Sequence, residues 1–165
     1  INIAKNKPVY VNSIFNSPVY SNILSTEAVC DENDFTIWAS DESSDDEWFC
    51  INLKETGKIK EIEINWHDKY YAKKYKIGIS DNGKTWTIIN TIDSGKGGIE
   101  KIPVNQSSRW IGLIFIERND ISYMLKDVSV SKYILSPTAT PNLYNIAKGK
   151  PAYSNSRLSN ATPLQ

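Results

Sequence analysis

From Ile59 onward apolar and polar residues alternate. Ile62, Ile64 and Trp66 fall on one side while Glu61, Glu63 and Asn65 fall on the other. A period of two predicts a strand with one wet face. Tyr75, Ile77 and Ile79 repeat the pattern, and Ser80-Asp81-Asn82-Gly83-Lys84 then supplies turn chemistry, with Asn-Gly able to take positive φ. Trp86–Ile89 completes a hairpin, and Ser94–Gly98 is a further loop. Trp110–Ile116 is almost unbroken apolar, which predicts a strand covered on both faces. Asp127–Ser131 alternates again and closes the unit. Closely spaced turns without a capped amphipathic helix predict an all-β, antiparallel sandwich or barrel.

The opening of the chain returns near its end. Asn2–Ser13 and Asn145–Ser156 agree at nine of twelve positions, at an offset of 143 residues. That period is too long for a solenoid repeat of ~20–50 residues and suits a whole domain. The expected organisation is one module at 1–133, a Pro/Thr-rich linker at 134–144 and the cut-off start of a second copy at 145–165. Linked copies of a weak site raise avidity, so the repeat points to binding.

Charge narrows the partners. Nineteen basic and nineteen acidic residues balance, so neither a nucleic-acid footprint nor an anionic-membrane stripe is expected. No apolar run approaches the ~20 residues needed to cross a bilayer. Cys30 and Cys50 leave two readings open, one disulfide or two buried thiols, and without a C-x-x-C pair a zinc site is not expected. Catalysis finds little support: one histidine, no serine elbow and no phosphate loop before a helix.

Five segments, in order, resemble the discoidin or coagulation factor V/VIII type C domain, and more narrowly its bacterial branch, carbohydrate-binding module family 32. They are the opening Asn2–Pro8, Asp31–Ser40 with its Thr36-Ile37-Trp38, Glu47–Leu53, the hairpin Tyr75–Trp86, and Arg109–Leu113. Three departures stand out: Glu32 replaces a glycine, Asn52 an aspartate, and Asp127 a glutamate of the closing strand. The resemblance implies an eight-stranded antiparallel jelly-roll β-sandwich whose loops at one end bind the ligand.

It also implies a structural calcium held by Asp31, Asn33, Thr36 and Asp127, with main-chain oxygens near Ala28. The residues alone allow a second reading. Asp and Asn in a tight turn often hydrogen-bond their own backbone, giving a solvated polar loop with no ion. An EF-hand is excluded by spacing.

For a glycan site, the aromatic-polar segment His67-Asp68-Lys69-Tyr70-Tyr71 follows strand residue Trp66. Sugar recognition needs an aromatic platform and planar hydrogen-bonding groups. The candidates are His67, Tyr70 and Arg118, then Glu42 and Tyr123, all expected on loops. Tyr71 and Tyr75 are expected to pack in the core or at an edge, and Arg109 to sit in a structural ion pair. The run Asp41–Glu47 reads as a solvated loop. Ser80–Trp86 is one residue short of a sialidase Asp-box and reads as a hairpin.

The expected function is a non-catalytic, calcium-stabilised glycan-binding module of a secreted or cell-surface bacterial protein, working beside a catalytic or toxin domain. The alternative is an adhesion module for protein or phospholipid surfaces, with Ile14-Phe15 and Ile23-Leu24 as its inserting tips.

Overall fold

The alternation at Ile62, Ile64 and Trp66 is fulfilled: all three are fully buried, and Glu61, Glu63 and Asn65 face outward. A computed structural model describes residues 1–42 and 46–134. Seven strands make up the fold: β1 (Val9–Val11), β2 (Trp38–Ala39), β3 (Trp48–Trp66), β4 (Ala72–Ser80), β5 (Thr87–Ile92), β6 (Ile99–Arg118) and β7 (Met124–Lys132), with one 3-10 turn at Glu27–Val29. Every pairing between strands is antiparallel.

Among the described residues the strand count is seven, one fewer than expected, because β3 and β6 are each long enough to serve both layers. The first part of β3 pairs β1 and the second half of β6, which also pairs β4. Past a break between Asn52 and Gly57, β3 pairs β7 and the first half of β6. At this crease Lys54 takes φ 71°, and Asn52 Oδ1 accepts from Lys54 N at 2.9 Å. The matching crease in β6 falls at Ser108, whose buried hydroxyl lies 2.8 Å from Ser80 O and accepts from Ser80 N at 3.2 Å. Backbone groups left over by the bend are thus satisfied locally, as buried polar groups require.

Between the folded halves lies an aromatic core. Trp66 meets Tyr75 and Phe115 with ring centroids 5.6 Å apart in each pair, and Trp38 meets Phe49 at 6.2 Å. Trp66 and Tyr75 also share Glu100, which accepts from Trp66 Nε1 at 2.9 Å, Tyr75 Oη at 2.5 Å and Lys96 N at 2.7 Å. Burial and that acceptor push the Tyr75 phenol far above its ordinary value.

Two expectations change, and the open choice for the cysteines is decided in favour of buried thiols. Trp110–Ile116 is covered on one face only: Ile111, Leu113 and Phe115 are buried, whereas Ile114 is 42 % exposed. Arg109 donates to Asn52 Oδ1 at 3.4 Å, not to an acid. Both cysteines are free and buried, with desolvation raising each thiol to about 11.

The opening motif has a structural cause. Asn2 Oδ1 accepts from Ala4 N and Val130 N, both at 2.9 Å, and Ile3 N donates to Val130 O at 2.8 Å. One side chain therefore pins the start of the module to its closing strand. Ile1–Tyr133 forms one compact unit; the expected linker beyond Ile134 and the second copy at 145–165 lie outside the described residues.

Candidate functional site

Antiparallel order brings four connections to one end of the sandwich: the one whose described residues are 40–42 and 46–47, and those at 67–71, 93–98 and 119–123. Two of them are laced together. His67 N donates to Met124 O (3.0 Å), Met124 N to Tyr70 O (2.8 Å), Asn119 N to Tyr71 O (2.9 Å) and Asn119 Nδ2 to Lys69 O (3.0 Å). A loop tied by its main chain at both ends holds its side chains in place without a helix or strand of its own.

On this frame the rings of His67 and Tyr70 stand 5.1 Å apart at 38°. Lys69 Nζ lies 5.3 Å from the Tyr70 ring centroid and 3.1 Å from Asp120. Arg118 reaches across the rim, its Nη1 donating to Ile121 O at 2.6 Å and Glu42 O at 3.1 Å. The guanidinium thus joins the 40–47 and 119–123 connections, and Glu42 enters through its carbonyl. Burial and the Lys126 charge lower the His67 pKa against a smaller opposing effect of Asp68, so the ring is neutral at pH 7.

Four of the five sequence candidates, His67, Tyr70, Arg118 and Glu42, therefore meet at one end. Tyr123 does not serve there: it is fully buried, stacked on Phe115 with centroids 4.7 Å apart, and belongs to the core. Tyr75 is core as expected, while half-buried Tyr71 lies under the loop at Gly97. Lys69, Asn119 and Asp120 join the site without having been singled out; their only signal in sequence was membership of the same loops. Of Asp41–Glu47, residues 43–45 lie outside the described residues. Among the apolar pairs proposed as membrane tips, Ile14 alone is exposed; Phe15, Ile23 and Leu24 are half-buried. No helix among the described residues is long and apolar enough to cross a membrane.

The cation-loop residues occupy a second place. Thr36 Oγ1 donates to Asp31 Oδ2 at 2.7 Å, Asn33 N to Asp31 Oδ1 at 2.9 Å, and Phe35 N to Asn33 Oδ1 at 3.1 Å. Glu32 N donates to Asp127 Oδ1 at 3.1 Å, linking this loop to β7. Glu32 takes φ 58°, the left-handed region where glycine is most at ease, and its carboxylate pairs with Lys5 at 2.5 Å. Asp127 is half-buried. Desolvation, with Asp31 and Glu32 nearby, raises its carboxyl to about 6. Among the described residues no three His, Cys, Asp or Glu side chains cluster as metal ligands.

Residues 28–110 match the F5/F8 type C family described as a NedA-like, galactose-binding domain. The chain belongs to this family. No curated protein matches it in sequence. Among solved structures, the module is similar to chitosan-binding module 1 of a chitosanase/glucanase from Paenibacillus sp. IK-5, with 26% identity and a TM-score of 0.71 over 79% of this chain and 98% of that one. Module 2 of the same enzyme, solved with chitotriose, matches at 28% identity and TM-score 0.69, covering 78% and 98%. The family 32 module of Clostridium perfringens NanJ, solved with galactose, shares the fold at 15% identity and TM-score 0.65, covering 76% and 93%. The solved modules it resembles are named for binding chitosan or were solved with a sugar.

Proposed function

We propose that the module binds a glycan through the rim formed by 67–71, 118–123 and Glu42, and that it does so as part of a secreted multidomain protein whose catalytic or toxin domain it holds near its target. The observation that carries this reading is the meeting of the His67–Tyr70 ring pair with Arg118 at the loop end. Tyr70 offers an apolar ring edge and a hydroxyl, His67 a neutral imidazole, and Arg118 and Asn119 planar donors. A pyranose needs such a mixture, because its C–H faces seek aromatic surface and its hydroxyls seek fixed partners. Single-site affinity is expected to be weak, because sugar hydroxyls must be desolvated, and avidity from further copies would raise it.

A bound calcium would lock the 31–36 loop to the sheet. Asp127 and Asp31 would supply charge, with neutral oxygens from Asn33, Thr36 and the main chain near Ala28. That donor set suits a hard cation. The supporting observation is Asp127 itself, a desolvated carboxyl beside two other acids that an ion would relieve. The ion would order the loop and take no part in chemistry.

The test is a glycan array followed by calorimetry on the whole chain, with Tyr70→Ala and Arg118→Ala beside it. A ligand for the parent protein and at least ten-fold weaker binding by both variants are expected. Glycan binding that neither substitution changes would dismiss the rim.

A further inference from the structure

The half-sheet β1–β3–β6–β4–β5 has an outer face that no other element covers among the described residues. One row across it reads Tyr10, Cys50, Gly112, Gly78, Ile88, a residue from each strand in register. Beside it runs Trp48, Ile114, Lys76. The middle of the first row is small, and the β4–β5 hairpin folds down onto it. A Cβ on Gly83 would come 2.9 Å from the Trp110 ring; on Gly78 and Gly112 it would come 3.3 and 3.1 Å from that of Trp86. Only glycines let both indoles lie so close. What remains is an open groove of about 360 Å³ lined by Trp48, Cys50, Gly78, Trp86, Gly112 and Ile114.

Resting on the reading of the chain as a sugar-binding module, we propose that this groove is a second glycan site, separate from the loop rim, for a neutral oligosaccharide chain. Three observations favour that occupant. First, none of the described residues lining the groove is charged, Lys76 standing beside it in the next row, which disfavours anionic or cationic polymers. Second, Trp38 and Trp66 donate their indole N–H groups to Ser13 O and Glu100, whereas Trp48 and Trp86 have no acceptor among the described residues. Each therefore presents an apolar ring together with an unused donor, which matches a sugar whose C–H groups cover both ring faces and whose hydroxyls stand at its edge. Third, the size is wrong for a protein. Tyr10, Trp48, Ile88 and Ile114 are 40–49 % exposed, which sums to roughly 400 Å², half the ~800 Å² per side of a stable protein interface. The groove volume falls in the usual range for a small bound molecule, roughly 300–1,000 Å³.

The test uses the whole chain with cellohexaose and N-acetylchitohexaose by calorimetry, and with insoluble cellulose and chitin by pull-down. Trp48→Ala and Ile114→Glu are compared with Tyr70→Ala, each checked for an unchanged far-ultraviolet circular dichroism spectrum and an unchanged Tm. Both groove variants are expected to weaken hexaose or polymer binding at least ten-fold and to leave the loop-rim ligand unaffected. Tyr70→Ala is expected to do the reverse. A loop rim that fails while Trp48→Ala still abolishes polymer binding would leave this proposal standing alone. Groove variants that bind every hexaose and polymer like the parent overturn it, as does the finding that they change only self-association in sedimentation.

Discussion

Asp127→Asn has opposite expected effects with and without calcium, which makes it the sharpest test of the cation loop. The Asp127 carboxyl is raised from 3.8 to about 6, mainly by burial and then by Asp31 and Glu32. Its folded pKa therefore lies above its unfolded one, and the folded state holds the proton more tightly. In EDTA, the stability linked to this group is fully present below about pH 4 and is lost as pH rises through about 6. Two units correspond to about 3 kcal/mol; since the side chain is half-buried, solvent screening reduces this to about 1 kcal/mol. Asp127→Asn removes the charge, so at pH 7 in EDTA it should raise Tm by about 3–5 °C and flatten the pH dependence between 4 and 6. Calcium at a hundred times its Kd should add about 2.7 kcal/mol to the parent, and the variant should lose most of that gain. Thermal melts followed by circular dichroism, at pH 4 to 7 with EDTA or calcium, read both effects. A variant that melts lower in EDTA at pH 7, or that keeps the full calcium gain, would refute the reasoning.

Three other outcomes are expected. Asn2→Ala leaves Val130 N and Ala4 N without their acceptor and should cost about 1–2 kcal/mol in urea unfolding; no change would mean the opening motif pins nothing. Tyr123→Ala should cost about 3–5 kcal/mol by emptying a core position, whereas Tyr70→Ala should barely move Tm while weakening glycan binding; the reverse would exchange their roles. Because the His67 pKa is lowered chiefly by burial, glycan affinity should stay level from pH 8 down through the ordinary histidine range of about 6.5 and fall only below it. Affinity that drops already between pH 7.5 and 6.5 would show an imidazole that is not desolvated.

Much of this could be read from the chain. The alternation of Ile62, Ile64 and Trp66 against Glu61, Glu63 and Asn65 fixed which residues face the core, because a strand has no freedom to point neighbours the same way. Asn82-Gly83 fixed the hairpin, since Gly83 must take φ +73° and few residues can. The ordered motifs gave the family, and the loop segment His67–Tyr71 gave half of the rim.

What sequence could not supply was the company each residue keeps. Trp110–Ile116 is apolar throughout, and periodicity cannot tell a face that another layer covers from one left open to solvent. Tyr123 and Tyr70 are the same residue type in neighbouring loops; packing on Phe115 makes one core and leaves the other at the rim. The creases at Asn52–Gly57 and Ser108 depend on pairing partners tens of residues away, and so did the strand count. Asp31 and Asp127 are nearly a hundred positions apart in the chain, and only folding brings their charges close enough to raise a pKa. Local chemistry set the strands and turns; long-range pairing decided which surfaces face water.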